Sequence, residues 1–237
     1  MTIHKRKEIE VKVKLGTDFK SLENNRLAVK RLGFSYKVTQ LETDYLPDTP
    51  DDLCKRNGLL LRFRKVETRK STEWLLTLKK RITNDGVMDF DEIETEFTNP
   101  DIETFEHINE LLLIATGHSL DETVLDRTTL DKVRDIVRGC GFTKDRILLD
   151  KYREEYSKSK DRIMLDFFPD DMGAYMEIES HSKSKLEAIV TQMNIPSEVI
   201  ITTDYGDLLK EHKHNLPSAE QRVALFSDGL RIKMLER

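Results

Sequence analysis

A chain of 237 residues, 38% of them hydrophobic, has room for a core as one large domain or two small ones, and its 35% charge is high for a globular protein. The net charge of −5 excludes a general nucleic-acid binder, which needs a basic field. Two cysteines, Cys54 and Cys140, exclude a disulfide framework and read as packing residues of a reducing compartment. No secretory leader and no apolar run of bilayer length is recognised, so a cytoplasmic protein with no membrane partner is expected.

The first strand is expected over residues 7–15. There Glu8-Ile9-Glu10-Val11-Lys12-Val13-Lys14 alternates charged and apolar side chains. A strand has a side-chain period of two, so the four charges share one face and Ile9, Val11 and Val13 the other. Asp18 is placed as the N-cap of a helix carrying Phe19, Leu22, Leu27, Val29 and Leu32, which stops at Gly33. An extended stretch follows over 34–45, then a turn over Pro47-Asp48-Thr49-Pro50-Asp51. Strands are predicted near 58–66, 72–81 and 88–98, with the hairpin signal Thr83-Asn84-Asp85-Gly86 between the last two.

Pro100-Asp101 opens a helical block over 100–140, read as a packing layer outside a sheet, with a mobile lid as the alternative. Strands resume near 146–156, 161–168 and 173–181, followed by an amphipathic helix over 183–193. From about residue 210 the chain is polar, and an exposed helix or partly ordered tail is expected. The order helix, Gly33-Phe34, strand returns as helix, Gly141-Phe142, strand, which suggests two similar halves closing one sheet.

The alternation of the first strand recurs. Sorted by sign, the striped positions give an acidic set, Glu8, Glu10, Glu92, Glu94, Glu96, Asp166, Glu177 and Glu179, and a basic set, Lys12, Lys14, Arg62, Arg64, Lys79, Lys151 and Arg153. Charged faces turned to bulk water are the plain reading of any single strand. A closed sheet, with apolar faces against outer helices and charged faces around a wet bore, accounts for the matched set. Such a lumen is tolerated best when it holds water, a cation and a polyanion, because buried charge is costly unless paired, hydrated or ligated.

Several motifs, in order over residues 7–209, give the chain a resemblance to the CYTH superfamily, the triphosphate tunnel metalloenzymes. Glu8-x-Glu10-x-Lys12 resembles the family's EXEXK strand. Asp44-Tyr45, with Asp48-Thr49-Pro50, is similar to the segment that precedes its arginine strand. Leu61-Arg62-Phe63-Arg64, Trp74-x-x-Thr77-x-Lys79 and Lys151-x-Arg153-x-x-Tyr156 resemble its L-R-x-R, tryptophan and K-x-R-x-x-Y strands. Asp166 and Glu177-x-Glu179 resemble its closing acidic strands. Asp204-Tyr205-Gly206-Asp207-Leu208-Leu209 is similar to its terminal S-Y-x-x-L-L, with aspartate in place of the serine. The departures are a Tyr45-to-Asp48 spacing longer by one, the helical block and the segment after 210.

The resemblance implies an α+β fold: an eight-stranded antiparallel closed β-barrel, or tunnel, over 1–209 with helices packed outside, followed by a polar helix or tail over 210–237. It implies a divalent-metal-dependent hydrolase of a triphosphate compound, inorganic tripolyphosphate first, with Mg2+ or Mn2+ and attack by metal-activated water. Glu8 and Glu10 lie about 6.5–7 Å apart along one strand face, a spacing from which two carboxylates converge on one hard cation. Glu8, Glu10 and Glu179 are expected as primary metal ligands, with Asp166 and Glu177 next. Lys12, Lys14, Arg62, Arg64, Lys79, Lys151 and Arg153 are expected on the phosphates. Glu10, Lys79 and Arg153 are the expected catalytic residues, with Trp74 a core anchor and His212 and His214 on the surface. The expected partner is the small-molecule triphosphate, with no nucleic acid and with a homodimer left open. Thiamine triphosphatase, class IV adenylyl cyclase and a non-catalytic polyphosphate- or nucleotide-binding module are the competing functions.

Overall fold

The computed structural model describes residues 5–83, 87–127 and 129–236. Period-two alternation dominates the sequence, and strands dominate the fold. They are β1 (Lys5–Gly16), β2 (Ser35–Asp48), β3 (Leu59–Glu67), β4 (Thr72–Thr83), β5 (Met88–Glu96), β6 (Lys144–Lys158), β7 (Asp161–Phe168) and β8 (Gly173–Ser180). They pair antiparallel in the order β6-β2-β3-β4-β5-β1-β8-β7, and β7 pairs back onto β6. The ring of eight strands closes a tunnel, which removes the edges that an open sheet would expose. Two short strands lie outside the ring: β9 (Ile200–Ile201) against β1, and β10 (Val223–Ala224), parallel, against β6.

Seven α-helices among the described residues connect or cover these strands: α1 (Phe19–Arg31), α2 (Leu53–Arg56), α3 (Ile102–Thr116), α4 (Leu130–Gly139), α5 (Lys183–Gln192), α6 (Tyr205–His212) and α7 (Asp228–Leu235). The apolar faces of β3, β4 and β5, with Leu61, Phe63, Trp74, Leu76 and Ile93, pack on Phe105, Ile108 and Leu112 of α3 and Val133 and Val137 of α4. The helical block is therefore an outer packing layer. Trp74 is buried and stacks on Phe97, ring centroids 6.0 Å apart. On the opposite side, Ile9, Val11 and Val13 of β1 meet Leu22 and Val29 of α1 and Leu186 of α5. No helix among the described residues is long and apolar enough to cross a membrane.

Local chemistry sets the element ends. The Asp18 carboxylate accepts the Ser21 amide N–H at 2.8 Å and starts α1. Gly33 at φ 83° and Gly141 at φ 98° take left-handed turns that other residues rarely adopt, each between a helix and its strand. The strands they lead into, β2 and β6, pair with each other along most of their length. The two strands that follow the Gly-Phe pairs are thus neighbours in the ring.

The structure differs from the sequence expectation in two places. Pro47 and Asp48 belong to β2, and the short helix α2 follows the turn. The buried Asp48 carboxylate organises this loop by accepting the amide N–H groups of Thr49, Cys54 and Lys55 at 2.8, 2.9 and 3.1 Å. The hairpin residues Asn84, Asp85 and Gly86 lie outside the described residues. The C-terminal segment is built into the fold: Phe226 stacks on Phe167, centroids 6.3 Å apart, Met234 is buried, and Arg231 of α7 pairs with Asp150 and Glu67.

Candidate active site in the tunnel

Inward positions of all eight strands line or border a cavity of about 340 Å3. On β1 and β8 the register sets Glu10 beside Glu179 and Lys12 beside Glu177. Glu8, two residues before Glu10, shares their face. One carboxylate oxygen from each of Glu8, Glu10, Glu177 and Glu179 lies within 4.8 Å of the others, and all four residues are buried.

Four carboxylates that close repel one another and lose hydration. Burial, with Glu177 and Glu8 nearby, pushes Glu10 up to about 8 although Lys12 opposes the shift. Burial and the proximity of Glu8 push Glu179 up to about 7 against the pull of Arg162. Burial would also raise Glu177, but Lys12, Arg153 and Lys151 outweigh it and hold that carboxyl well below its usual range. Hard oxygen donors, buried and with part of their charge uncompensated, suit a small divalent cation, which Glu8, Glu10, Glu177 and Glu179 would hold.

Cations continue the lining. Lys79 lies 3.0 Å from Glu8 and 3.1 Å from Glu92, and Lys12 pairs with Glu10. Arg64 forms a two-pronged pair with Asp44, at 2.6 and 2.8 Å, and reaches Glu42 at 2.9 Å. Lys151 lies 2.8 Å from Glu42. Burial raises the cost of Glu42's charge, yet Arg64, Lys151 and Arg153 hold its carboxyl well below the usual range. Arg62 is the most loosely held of the arginines: its carboxylate neighbours stand at 3.5 and 3.7 Å, it donates to Thr77 Oγ1 at 3.1 Å, and its buried Nε has no hydrogen-bond partner.

Most residues expected from the sequence meet here: Glu8, Glu10, Glu177 and Glu179 in the acidic cluster, and Lys12, Arg62, Arg64, Lys79, Lys151 and Arg153 around the same cavity. Two expected residues stand apart from the cluster and the cavity lining. Asp166, expected as a metal ligand, lies outside the cluster. Arg153 grips both of its oxygens at 2.7 Å, and the Tyr205 hydroxyl donates to it at 3.1 Å, so it positions Arg153. Lys14, expected on the phosphates, is exposed, stands 5.7 Å from the centre of the Tyr175 ring and does not line the cavity. Its strand face is right, but it lies past the end of the charged bore.

Three contributors were not read from the sequence. Glu42 gathers Arg64 and Lys151. Arg162 of β7 lies opposite Glu179 in the register and donates to its Oε2 at 2.8 Å. Tyr205, noted only as part of a motif, lies under Lys12 and Lys151, whose ammonium nitrogens stand 4.9 and 5.6 Å from its ring centre. The parity of Asp166 two strand steps away could have indicated Arg162. Asp204, which stands where the family motif has serine, accepts the Asp207 amide N–H at 2.9 Å, so the helix cap that positions Tyr205 is kept.

A closed antiparallel ring with this charged bore defines a tunnel-fold protein. A family model described as the CYTH domain matches residues 6–204, and the chain belongs to that family. Solved structures of the same fold include a conserved hypothetical protein from Pyrococcus furiosus, 18% identical with a TM-score of 0.59, covering 85% of this chain and 99% of its own. A candidate adenylate cyclase from Vibrio parahaemolyticus is 16% identical with a TM-score of 0.58, covering 86% and 98%. A protein from Pyrococcus horikoshii is 21% identical with a TM-score of 0.56, covering 86% and 99%. No curated protein matches the chain.

Proposed function

We propose that this chain is a divalent-metal-dependent hydrolase of a triphosphate compound, with inorganic tripolyphosphate as its first substrate. One observation carries the reading: four buried carboxylates converge in the same cavity that Lys12, Arg62, Arg64, Lys79, Lys151 and Arg153 line. A site that only bound anions would gain nothing from the acids, which repel phosphate. Glu8, Glu10, Glu177 and Glu179 would hold Mg2+ or Mn2+, and Asp166 is left out of that set. When bound, the cation polarises phosphate oxygens and a water molecule.

The protein's own part is positioning and charge. Arg62, the most loosely paired of the tunnel arginines, is the leading phosphate ligand. Lys12, Lys151, Arg64 and Arg153 complete the cradle, the two arginines held in orientation by Asp44 and Asp166. Water adds to the terminal phosphorus as the bridging P–O bond breaks. Orthophosphate and the shortened phosphate leave, and the proton passes to solvent. Lys12 and Lys79 neutralise charge that moves to the leaving oxygen. No side-chain nucleophile is required. The tunnel proper forms the catalytic domain, and the segment after residue 210 braces its outer wall.

The test is product analysis. The protein is incubated with Mg2+ or Mn2+ and with tripolyphosphate, thiamine triphosphate or ATP in turn. Orthophosphate released fastest from tripolyphosphate is the expected result. Cyclic AMP from ATP, or tight binding with no product, would overturn the reading.

A further inference from the structure

A second cavity, of about 400 Å3, lies between the tunnel wall and the C-terminal segment. Its apolar walls include Tyr45 of β2, Ile147 and Leu148 of β6, and Val223 of β10. Its cations are Arg134, Lys144 and Arg222, against the single carboxylate Asp145. Asp145 is already engaged by the Tyr45 hydroxyl at 2.9 Å, by Arg138 at 2.7 Å and by Arg134. Lys144 is paired with Asp52 at 2.6 Å. Asp145 is shared by Arg134 and Arg138, and Asp52 offsets Lys144, so positive charge is in excess around the cavity. One lining guanidinium is unused: the half-buried Arg222 side chain has no ion pair or hydrogen bond among the described residues. A guanidinium without a protein partner beside apolar walls offers its fork to an anionic ligand. The cavity falls within the size range of small-molecule sites. Arg222 and Val223 lie beyond the family match, so this chain's own C-terminal segment makes one wall.

We infer that this cavity binds a small organic anion, an aromatic carboxylate whose head meets Arg222 and whose body lies on Tyr45, Leu148 and Val223. The planar guanidinium of Arg222 suits a carboxylate, and the excess of positive charge around the cavity favours an anion. The site stands apart from the acidic cluster of the tunnel, and the inference is independent of the hydrolase reading.

The test is calorimetric titration of the full chain with naphthalene-2-carboxylate and with its neutral amide. The expected result is one saturable site for the carboxylate, with the amide at least ~10-fold weaker, since a charge-assisted bond is lost. Arg222→Glu should weaken the carboxylate about tenfold or more, leaving thermal stability and tripolyphosphate turnover without the probe unchanged. Ala219→Trp should block the cavity by volume, and the tunnel variant Arg62→Ala should leave carboxylate binding unchanged. Equal binding of acid and amide, no saturable binding, or loss with Arg62→Ala but not with Arg222→Glu would overturn the inference.

Discussion

Two regions of one tunnel treat the same functional group in opposite ways. Beside β1 and β8, Glu10 and Glu179 are pushed up to about 8 and about 7, because buried carboxylates face one another. Across the bore, Glu42 is held far below its usual range because Arg64, Lys151 and Arg153 surround it. Glu177 sits between the regions and sides with the second, through Lys12 and Arg153. The difference shows where charge is missing. The Glu42 region is a closed ion network, whereas in the Glu10 region buried carboxylates still crowd one another.

Activity should break this comparison most visibly. Glu10→Gln should cut tripolyphosphate turnover by about 100-fold or more, as expected when a metal-binding group is removed, measured as phosphate release at saturating metal. Stability should separate the regions next. Glu42→Gln leaves three buried cations short of a counter-charge and should cost roughly 3 kcal/mol in denaturant unfolding. Glu10→Gln should instead leave the metal-free protein as stable as the parent or more so, because it removes one of four crowded acids. Destabilisation of both variants by equal amounts would erase the distinction between the two regions. A smaller effect is expected for Arg62→Ala, a rise in KM of about tenfold with a smaller change in kcat, read from saturation curves with tripolyphosphate.

The ring and most of its lining were legible because a closed sheet makes the inward face a period-two signal. Glu8, Glu10 and Lys12 carry that signal without interruption, as do Arg62 with Arg64 and Glu177 with Glu179. On β7 the inward positions are Arg162, Met164 and Asp166, and the methionine breaks the charged stripe, so Arg162 went unread. Asp166 has the inward face, but its pairing with Arg153, from another strand, could not be read from its own strand. Lys14 keeps the period but lies past the end of the cavity. The C-terminal segment looked like a tail because what anchors it is distant in sequence: Phe226 finds Phe167, and Arg231 finds Asp150 and Glu67. Polar composition cannot announce such contacts.

The central claim is that the acidic cluster awaits a divalent cation. An ordinary glutamate titrates near 4.5, so above that pH the folded, metal-free protein keeps protons on Glu10 and Glu179 that the unfolded chain has lost. Its stability therefore falls as pH rises from 4.5 through about 7 and about 8, and a bound cation must expel those protons. Calorimetric titration with Mn2+ near neutral pH, in buffers of different ionisation heat, counts them directly. The expected result is binding with net proton release, both strongly reduced in Glu10→Gln. Binding of Mn2+ without proton release, and with equal affinity in that variant, would contradict the account.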